Sequence, residues 1–421
     1  MRPLTGMALA ARAYAAARWR ERTLRSRDAV ARYQARRLRA LGRHLATLPF
    51  YAGIDPDRPE SWPVIDKAVL LANFAAMNVA GLELAEVRAA LDRGENRIGR
   101  CTVGHSTGTS GNRGYFVISD AERYVWLGTL LAKALPDALW RRHRVALALP
   151  GFSRLYAAAE GGSRVRLGLF DLDDGVDGWA DRFAAFAPDT IVAPPKVLRL
   201  LAERGLISRG ATAFSAAEVL DPVDAAPIAA ATGLPVRQIY MATEGLLGVS
   251  CAHGTLHLAE DAVAFEWEPA GALVQPVITD FTRRAQAMAR YRMNDLLRLS
   301  DARCPCGSAF QAVAAVEGRR DDILLLGGVA VTPDVLRNAL LDADRRIDDF
   351  RIVQTGAEAI VVALPEGIDG EPVRAALAAA LARLGASATI TVAHDIPPAN
   401  ATKLRRVRRE WSPDQSSISA S

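Results

Sequence analysis

From residue 144 onward the chain settles into one rhythm. Short apolar runs at 145–149, 165–170, 190–193 and 236–240 read as buried strands, and the stretches at 197–204 and 222–232 between them read as helices. Strands apolar on both faces and separated by helices predict a largely parallel sheet with helices packed against it, an α/β domain. In open sheets of this kind ligands bind beyond the carboxyl ends of the strands. The residues that directly follow each strand are therefore where chemistry is expected.

The pattern changes twice more. The region 266–299 has strand-like pieces at 272–279 and 296–300 and no long helix, which predicts a β subdomain. A junction is expected at Gly318-Arg319-Arg320-Asp321-Asp322. Beyond it a helix (333–343), two strands (350–354, 359–364), a helix (371–384) and a strand (389–393) form an α+β unit of about 100 residues, a normal domain size. The expected division is a large domain at 1–318, a small one at 319–411 and a Ser-rich, disordered tail at 412–421. Leu38, Leu41, Leu45 and Leu48 recur at helical spacing before Pro49. The first 27 residues are rich in Ala and Arg and lack the apolar core of a secretory signal. No apolar run reaches the roughly 18 residues that a membrane helix needs, so a cytoplasmic protein with no membrane span is expected. The net charge is +5 over 421 residues, concentrated at the two ends. A mild basic excess suits an acidic partner or a polyphosphate, or only solvated helix faces.

Five segments carry chemistry. Ser106-Thr107-Gly108-Thr109-Ser110-Gly111-Asn112-Arg113-Gly114 is a loop of glycines and hydroxyls that can wrap a phosphate, without the Lys-Ser/Thr pair of a Walker loop. Tyr240-Met241-Ala242-Thr243-Glu244-Gly245 follows a predicted strand. Tyr291-Arg292-Met293-Asn294-Asp295 offers a carboxylate suited to the paired hydroxyls of a ribose. The junction around Asp321 and the loop holding Lys403, after Pro397-Pro398, complete the set.

In this order and spacing the segments resemble the adenylate-forming superfamily, the acid–thiol ligases of the phenylacetate–CoA ligase and coenzyme F390 synthetase-related type. The resemblance runs from residues 38–51 through Trp62–Lys67 to Lys403. It implies a large N-terminal domain with mostly parallel sheets and a β subdomain, and a small mobile C-terminal α+β domain. It implies ATP and Mg²⁺ as well. On matching positions, Ser106, Thr107, Gly108, Thr109, Ser110, Gly111 and Arg113 would hold the outer phosphates; Asn112 and Arg113 stand where the family has Pro and Lys. Thr243 would contact the α-phosphate and Glu244 the Mg²⁺. Tyr240 would belong to the nucleotide site, and Glu218 would lie along the adenine. Asp295 would bind the ribose and Arg319 would make a second nucleotide contact. Asp321 would be the hinge and Lys403 the adenylating lysine. Phe152, Tyr156 and Met241 would line the acid pocket, or are plain core.

Cys304-Pro305-Cys306, Cys251 and His257 supply three thiolates and an imidazole, a closed tetrahedral set suited to a structural Zn²⁺, with His253 as the alternative fourth ligand. Members of the resembled type share a Cys-x-Cys-Gly and an upstream Cys. Buried thiols and a satisfied histidine are the other reading. Cys101 and His105 flank the phosphate loop and are not assigned to catalysis.

The implied function is activation of an aromatic, hydroxybenzoate-like acid and its transfer to the phosphopantetheine thiol of an acyl carrier protein. The glycine-rich loop also resembles relatives in bacterial aryl polyene and xanthomonadin pathways that load a hydroxybenzoate in this way. Free CoA or an amine are alternative acceptors, and a monomer or homodimer is expected. A basic nucleic-acid-binding protein is the reading from another class, but such a module has no use for Glu244, Asp295, Asp321 and Lys403 in this order.

Overall fold

The computed structural model describes residues 3–106, 113–149, 164–396 and 404–412. A twelve-stranded sheet forms the centre. Its first half is parallel: Val165–Leu169, His143–Leu147, Thr190–Ala193, Thr212–Ala216 and Arg237–Ala242 lie side by side. Alternate residues of these strands point to opposite faces, as a period of two requires. Ala146, Ala148, Ile191 and Ala193 pack on Val197, Leu198 and Leu201 of the helix Pro195–Glu203 and on Ile228 of the helix Pro222–Thr232. Val145, Leu147 and Val192 pack instead with Ala132 of the helix Asp120–Ala134 and with Tyr14 and Ala17 of the helix Pro3–Thr23.

The strand Gly245–Ser250 turns back antiparallel on Arg237–Ala242, and every later pairing in this sheet is antiparallel. The strands expected as a β subdomain form the other half of this sheet, hydrogen-bonded to the parallel half. The leucine-spaced helix runs Arg27–Leu45 and sets Leu41 and Leu45 against that half, with Tyr51, Trp62, Ile278 and Tyr291. A three-stranded sheet, Arg97–Ile98, Cys101–His105 and Tyr115–Ser119, carries the glycine-rich loop between its last two strands.

The C-terminal unit has its own core around Leu336, Phe350, Ile352, Val362, Leu377 and Leu381. Its four-stranded sheet runs Thr389–Ala393, Ala359–Ala363, Arg351–Gly356 and Val407–Arg409. The hairpin Leu324–Leu326 to Val329–Val331 turns on Gly327 and Gly328, at φ +57° and +83°. A two-residue turn with both φ positive suits glycine at each position. Among the described residues no helix is long and apolar enough to cross a membrane.

Candidate active site and metal centre

The predicted ligand segments meet in one cleft of about 790 Å³ between the two units. Its lining includes Ser106, Glu218, Tyr240, Met241, Thr243, Glu244, Asp295, Arg319 and Asp321, together with Leu404, Arg405 and Arg406 from the C-terminal unit. Phosphate-loop residues Thr107, Gly108, Thr109, Ser110 and Gly111, pocket residues Phe152 and Tyr156, and Lys403 lie outside the described residues. Cys101 and His105 do not line the cleft.

Thr243 and Glu244 occupy the turn between the last parallel strand and its antiparallel neighbour, where the sheet changes polarity. Gly245, at φ +156°, lets the turn close, because a Cβ there would stand 2.7 Å from Asp280 Oδ2. Arg283, buried behind the turn, donates from Nη1 to the carbonyl oxygens of Thr243 (3.2 Å) and Glu244 (3.3 Å). Burial pushes the Glu244 carboxyl up, against a hydrogen bond from Tyr291 and the charge of Arg283. A carboxyl held high by burial is one that a divalent cation would bring back to the carboxylate, so Glu244 fits the Mg²⁺ role.

The neck of the glycine-rich loop is closed by two bonds: Ser106 N donates to the Gly114 carbonyl at 2.8 Å, and Gly114 N donates to Ser106 Oγ at 2.9 Å. The Ser106 hydroxyl therefore serves to staple the loop. The Tyr240 hydroxyl donates to Asp295 Oδ2 at 2.8 Å, which fixes one carboxylate oxygen and leaves the other for a ligand. Burial, then the Asp295 charge, pushes the Tyr240 phenol well up, so it stays a donor. Asp321 accepts from Asn294 Nδ2 at 2.6 Å, within the 3₁₀ turn Arg320–Asp322. Glu218 Oε1 accepts from Leu404 N at 3.1 Å, next to the position of Lys403. Ser215 Oγ, buried and lining the same cleft, has no hydrogen-bond partner, and Ala217 beside it holds φ at +69°. An orphaned hydroxyl and a strained backbone in one wall suit a polar ligand.

Sequence reasoning gave Lys67 no role, yet it lines the cleft. Burial lowers its pKa, with Glu244 acting in the opposite direction. Its position follows from Asp66, whose carboxylate accepts from Val69 N at 2.9 Å and caps the helix Lys67–Ala72. The Asp before an apolar helical run was the available signal. The basic run near the C-terminus, Arg405, Arg406, Arg408 and Arg409, is engaged in part: Arg406 is buried, while Arg405 and Arg408 pair but stay accessible. Arg405 pairs with Asp322, Arg406 with Asp221, Asp224 and Asp349, and Arg408 with Glu410.

Away from the cleft lining, Cys251, His257, Cys304 and Cys306 converge, with one ligand atom from each inside a 4.8 Å set. His253 is not part of the group. Cys251 Sγ and Cys304 Sγ are 3.6 Å apart, and Cys306 Sγ is 3.2 Å from His257 Nε2. His257 Nδ1 lies 3.2 Å from the Phe310 carbonyl, which fixes the ring and frees Nε2 for a metal. Burial pushes the Cys304 thiol up, but hydrogen bonds with Thr255, the Cys306 backbone and His257 outweigh it and bring it down to about 6. Burial pushes the neighbouring Cys306 thiol up, so the pair shares its protons, and a closed set of three sulfurs and one nitrogen fits Zn²⁺.

A scan against protein-family models finds no match. A stretch of 85 residues, 20% of the chain, is 32% identical to phenylacetate–coenzyme A ligase of Thermus thermophilus, and spans 19% of that protein's length. The solved structure of 2-hydroxyisobutyryl-CoA ligase in its postadenylation state, in complex with 2-HIB-AMP, superposes with a TM-score of 0.67 at 19% identity, over 93% of this chain and 90% of that one. The same ligase in its thioesterification state, with 2-HIB-AMP and CoA, superposes at 0.50 with 21% identity over 89% of each. The anthranilate CoA ligase AuaEII, in complex with anthranoyl-AMP, superposes at 0.50 with 14% identity over 72% of this chain and 66% of that one. The chain has the fold of the adenylate-forming ligases.

Proposed function

We propose that the protein is an ATP-dependent, AMP-forming acid–thiol ligase that converts an aromatic, hydroxybenzoate-like acid to its acyl-adenylate and then to a thioester. The observation that carries this reading is the meeting of Ser106, Thr243, Glu244, Asp295 and Arg319 with residues 404–406 in one cleft between two units. A carboxylate becomes an acyl donor only when its oxygen is made a good leaving group. Attack on the α-phosphorus of ATP does this and expels pyrophosphate, while charge builds on the phosphate oxygens. Donors and cations held ready for that charge supply the rate. Thr243 and the glycine-rich loop would donate hydrogen bonds, Glu244 would hold the Mg²⁺, Asp295 and Arg319 would orient the nucleoside, and Lys403 would bring a positive charge. The thiol then attacks the acyl carbon and AMP leaves. Asp321 is the pivot in this reading, since the thiol needs the space that the small unit covers.

The acid would sit beside Met241, with Phe152 and Tyr156 as further pocket residues, and the enzyme would act in the cytoplasm. The acceptor has the chemistry of a phosphopantetheine thiol, on an acyl carrier protein or on free CoA. The basic run near the C-terminus would suit either the acidic helix of a carrier or the phosphates of CoA, and the CoA-bound ligase structure on which the chain superposes supports CoA. Acid-dependent pyrophosphate release, screened over aromatic and aliphatic acids, tests the first step. No release with any acid would remove the ligase reading. Turnover with CoA should equal or exceed that with a phosphopantetheinylated carrier, and a strong, salt-sensitive preference for the carrier would restore the other acceptor.

A further inference from the structure

The seam between the units is pinned by a buried arginine that belongs to both. Arg406 is 8% exposed, and Asp221 and Asp224 at the start of the helix Pro222–Thr232 are 6% and 1% exposed. Its Nη1 donates to Asp221 Oδ2 at 2.7 Å and Asp224 Oδ2 at 2.6 Å, and its Nη2 to Asp224 Oδ1 at 3.1 Å. On the other side Nε donates to Asp349 Oδ1 of the C-terminal unit at 3.0 Å. The Arg406 carbonyl accepts from Ile352 N at 2.7 Å, so its backbone is fixed to the small unit's sheet. Smaller ties surround this one: Arg199 reaches the Asp348 carbonyl and carboxylate, and Arg337 reaches Glu317 at 2.6 Å.

A guanidinium fork between desolvated carboxylates cannot be loosened by degrees. Withdrawing it together with Arg337, which lies 3.6 Å from Asp221 Oδ1 and belongs to the same unit, leaves two buried aspartates with only Arg199, 3.9 Å from Asp224 Oδ1, as a counter-charge. The contact is therefore made or broken as a unit, which is what a switch between two domain positions needs. Residue 403 lies three positions before Arg406, within roughly 10 Å of chain. Residues 404–407 line the cleft themselves.

We propose that Arg406 is a positioning residue for adenylation: its insertion between Asp221 and Asp224 holds the strand leading out of the Lys403 loop over the cleft, and the thiol is admitted only when it withdraws. This rests on the ligase reading above. The better superposition on a postadenylation state than on a thioesterification state of one ligase accords with it.

The test separates the half-reactions. Arg406→Gln should lower acid-dependent pyrophosphate release about 100-fold, the order expected when a buried ion pair loses one partner. Thioester formation from supplied acyl-adenylate should stay within about threefold of the unchanged protein, because that step does not use the contact. Small-angle scattering of the same variant without substrate should show a more extended particle. Asp224→Asn, which removes the partner from the large unit, should give the same split with about a tenfold loss, and Arg406→Lys should recover only part of the rate. Pyrophosphate release left unchanged, or both half-reactions falling by the same factor, would overturn the proposal. Should the unchanged protein release no pyrophosphate with any acid, the ligase reading fails. The scattering comparison then still decides the latch: an unaltered profile for Arg406→Gln sinks it.

Discussion

The four-residue cysteine–histidine cluster makes a prediction with a magnitude. Zinc bonds of about 2.3 Å to sulfur and about 2.0 Å to nitrogen set tetrahedral edges of about 3.8 Å between sulfurs and about 3.5 Å between sulfur and nitrogen. The two contacts observed, 3.6 and 3.2 Å, are within a few tenths of these. The whole set lies within 4.8 Å, so closing on a metal takes shifts of about 1 Å and leaves part of the binding energy for stability. A metal at about 1,000 times its dissociation constant adds roughly 4 kcal/mol to the folded state. For a domain of this size that raises Tm by roughly 5–10 °C. Protein grown with zinc and purified without chelator should carry one Zn²⁺ per chain by elemental analysis. Stripping the metal should lower Tm by that amount, and the Cys304→Ser, Cys306→Ser double variant should neither hold zinc nor respond to a chelator. Cobalt in place of zinc should show the intense absorption of thiolate coordination. A chain that holds no zinc, or a double variant that keeps it, would refute the geometric argument.

Further outcomes follow from the cleft. Glu244→Gln should abolish pyrophosphate release yet raise Tm at pH 7 in metal-free buffer. Burial raises the folded-state pKa, so the charged form costs stability above it, and the gap to the unchanged protein should close as pH falls through that raised value. A less stable variant at pH 7 contradicts this. Tyr240→Phe removes the donor to Asp295 and should raise the KM for ATP about tenfold, as loss of a hydrogen bond to a charged group does. Steady-state kinetics at saturating acid measure it. Lys403→Ala should cut pyrophosphate release by several orders of magnitude while leaving thioester formation from supplied adenylate intact. Asp321→Pro should do the reverse by fixing φ at the pivot. Equal losses in both half-reactions for Lys403→Ala would pass its role to Arg405.

Much of the architecture was legible because local signals agreed. The helices Pro222–Thr232 and Pro333–Ala343 begin on a proline, a residue suited to the first turn, and the strand Thr190–Ala193 is a short apolar run between breakers. The helix Asp120–Ala134 is not evident from periodicity although its capping box is written in Ser119 and Glu122, since its buried face is mostly Gly128, Thr129, Ala132 and Ala134, which make no apolar stripe. The continuity of the sheet was not legible either. An antiparallel strand such as Gly245–Ser250 reads the same whether it joins the parallel half or starts a separate domain. The cleft could be read because its residues sit in short segments with characteristic types. The fate of Arg405 and Arg406 could not, because a basic run in sequence looks alike whether it faces water or Asp221, Asp224 and Asp322. Only the fold brings residues so distant in the chain to the same place.

The strand order of the large sheet has a consequence for how the protein is made. Ala312–Arg319 lies between Asp295–Ser300 and Leu256–Leu258, so it joins the meander of the antiparallel half to the hairpin that continues the parallel half. On a ribosome, synthesis proceeds from the N-terminus and early domains fold first. Here the sheet stays in two pieces, each with an open edge, until residue 319 has cleared the exit tunnel. The slow, non-local pairing comes last. The strand that closes the sheet is also the one from which the C-terminal unit departs. The large unit is therefore complete just as the junction emerges, and the nascent C-terminal unit meets a finished surface.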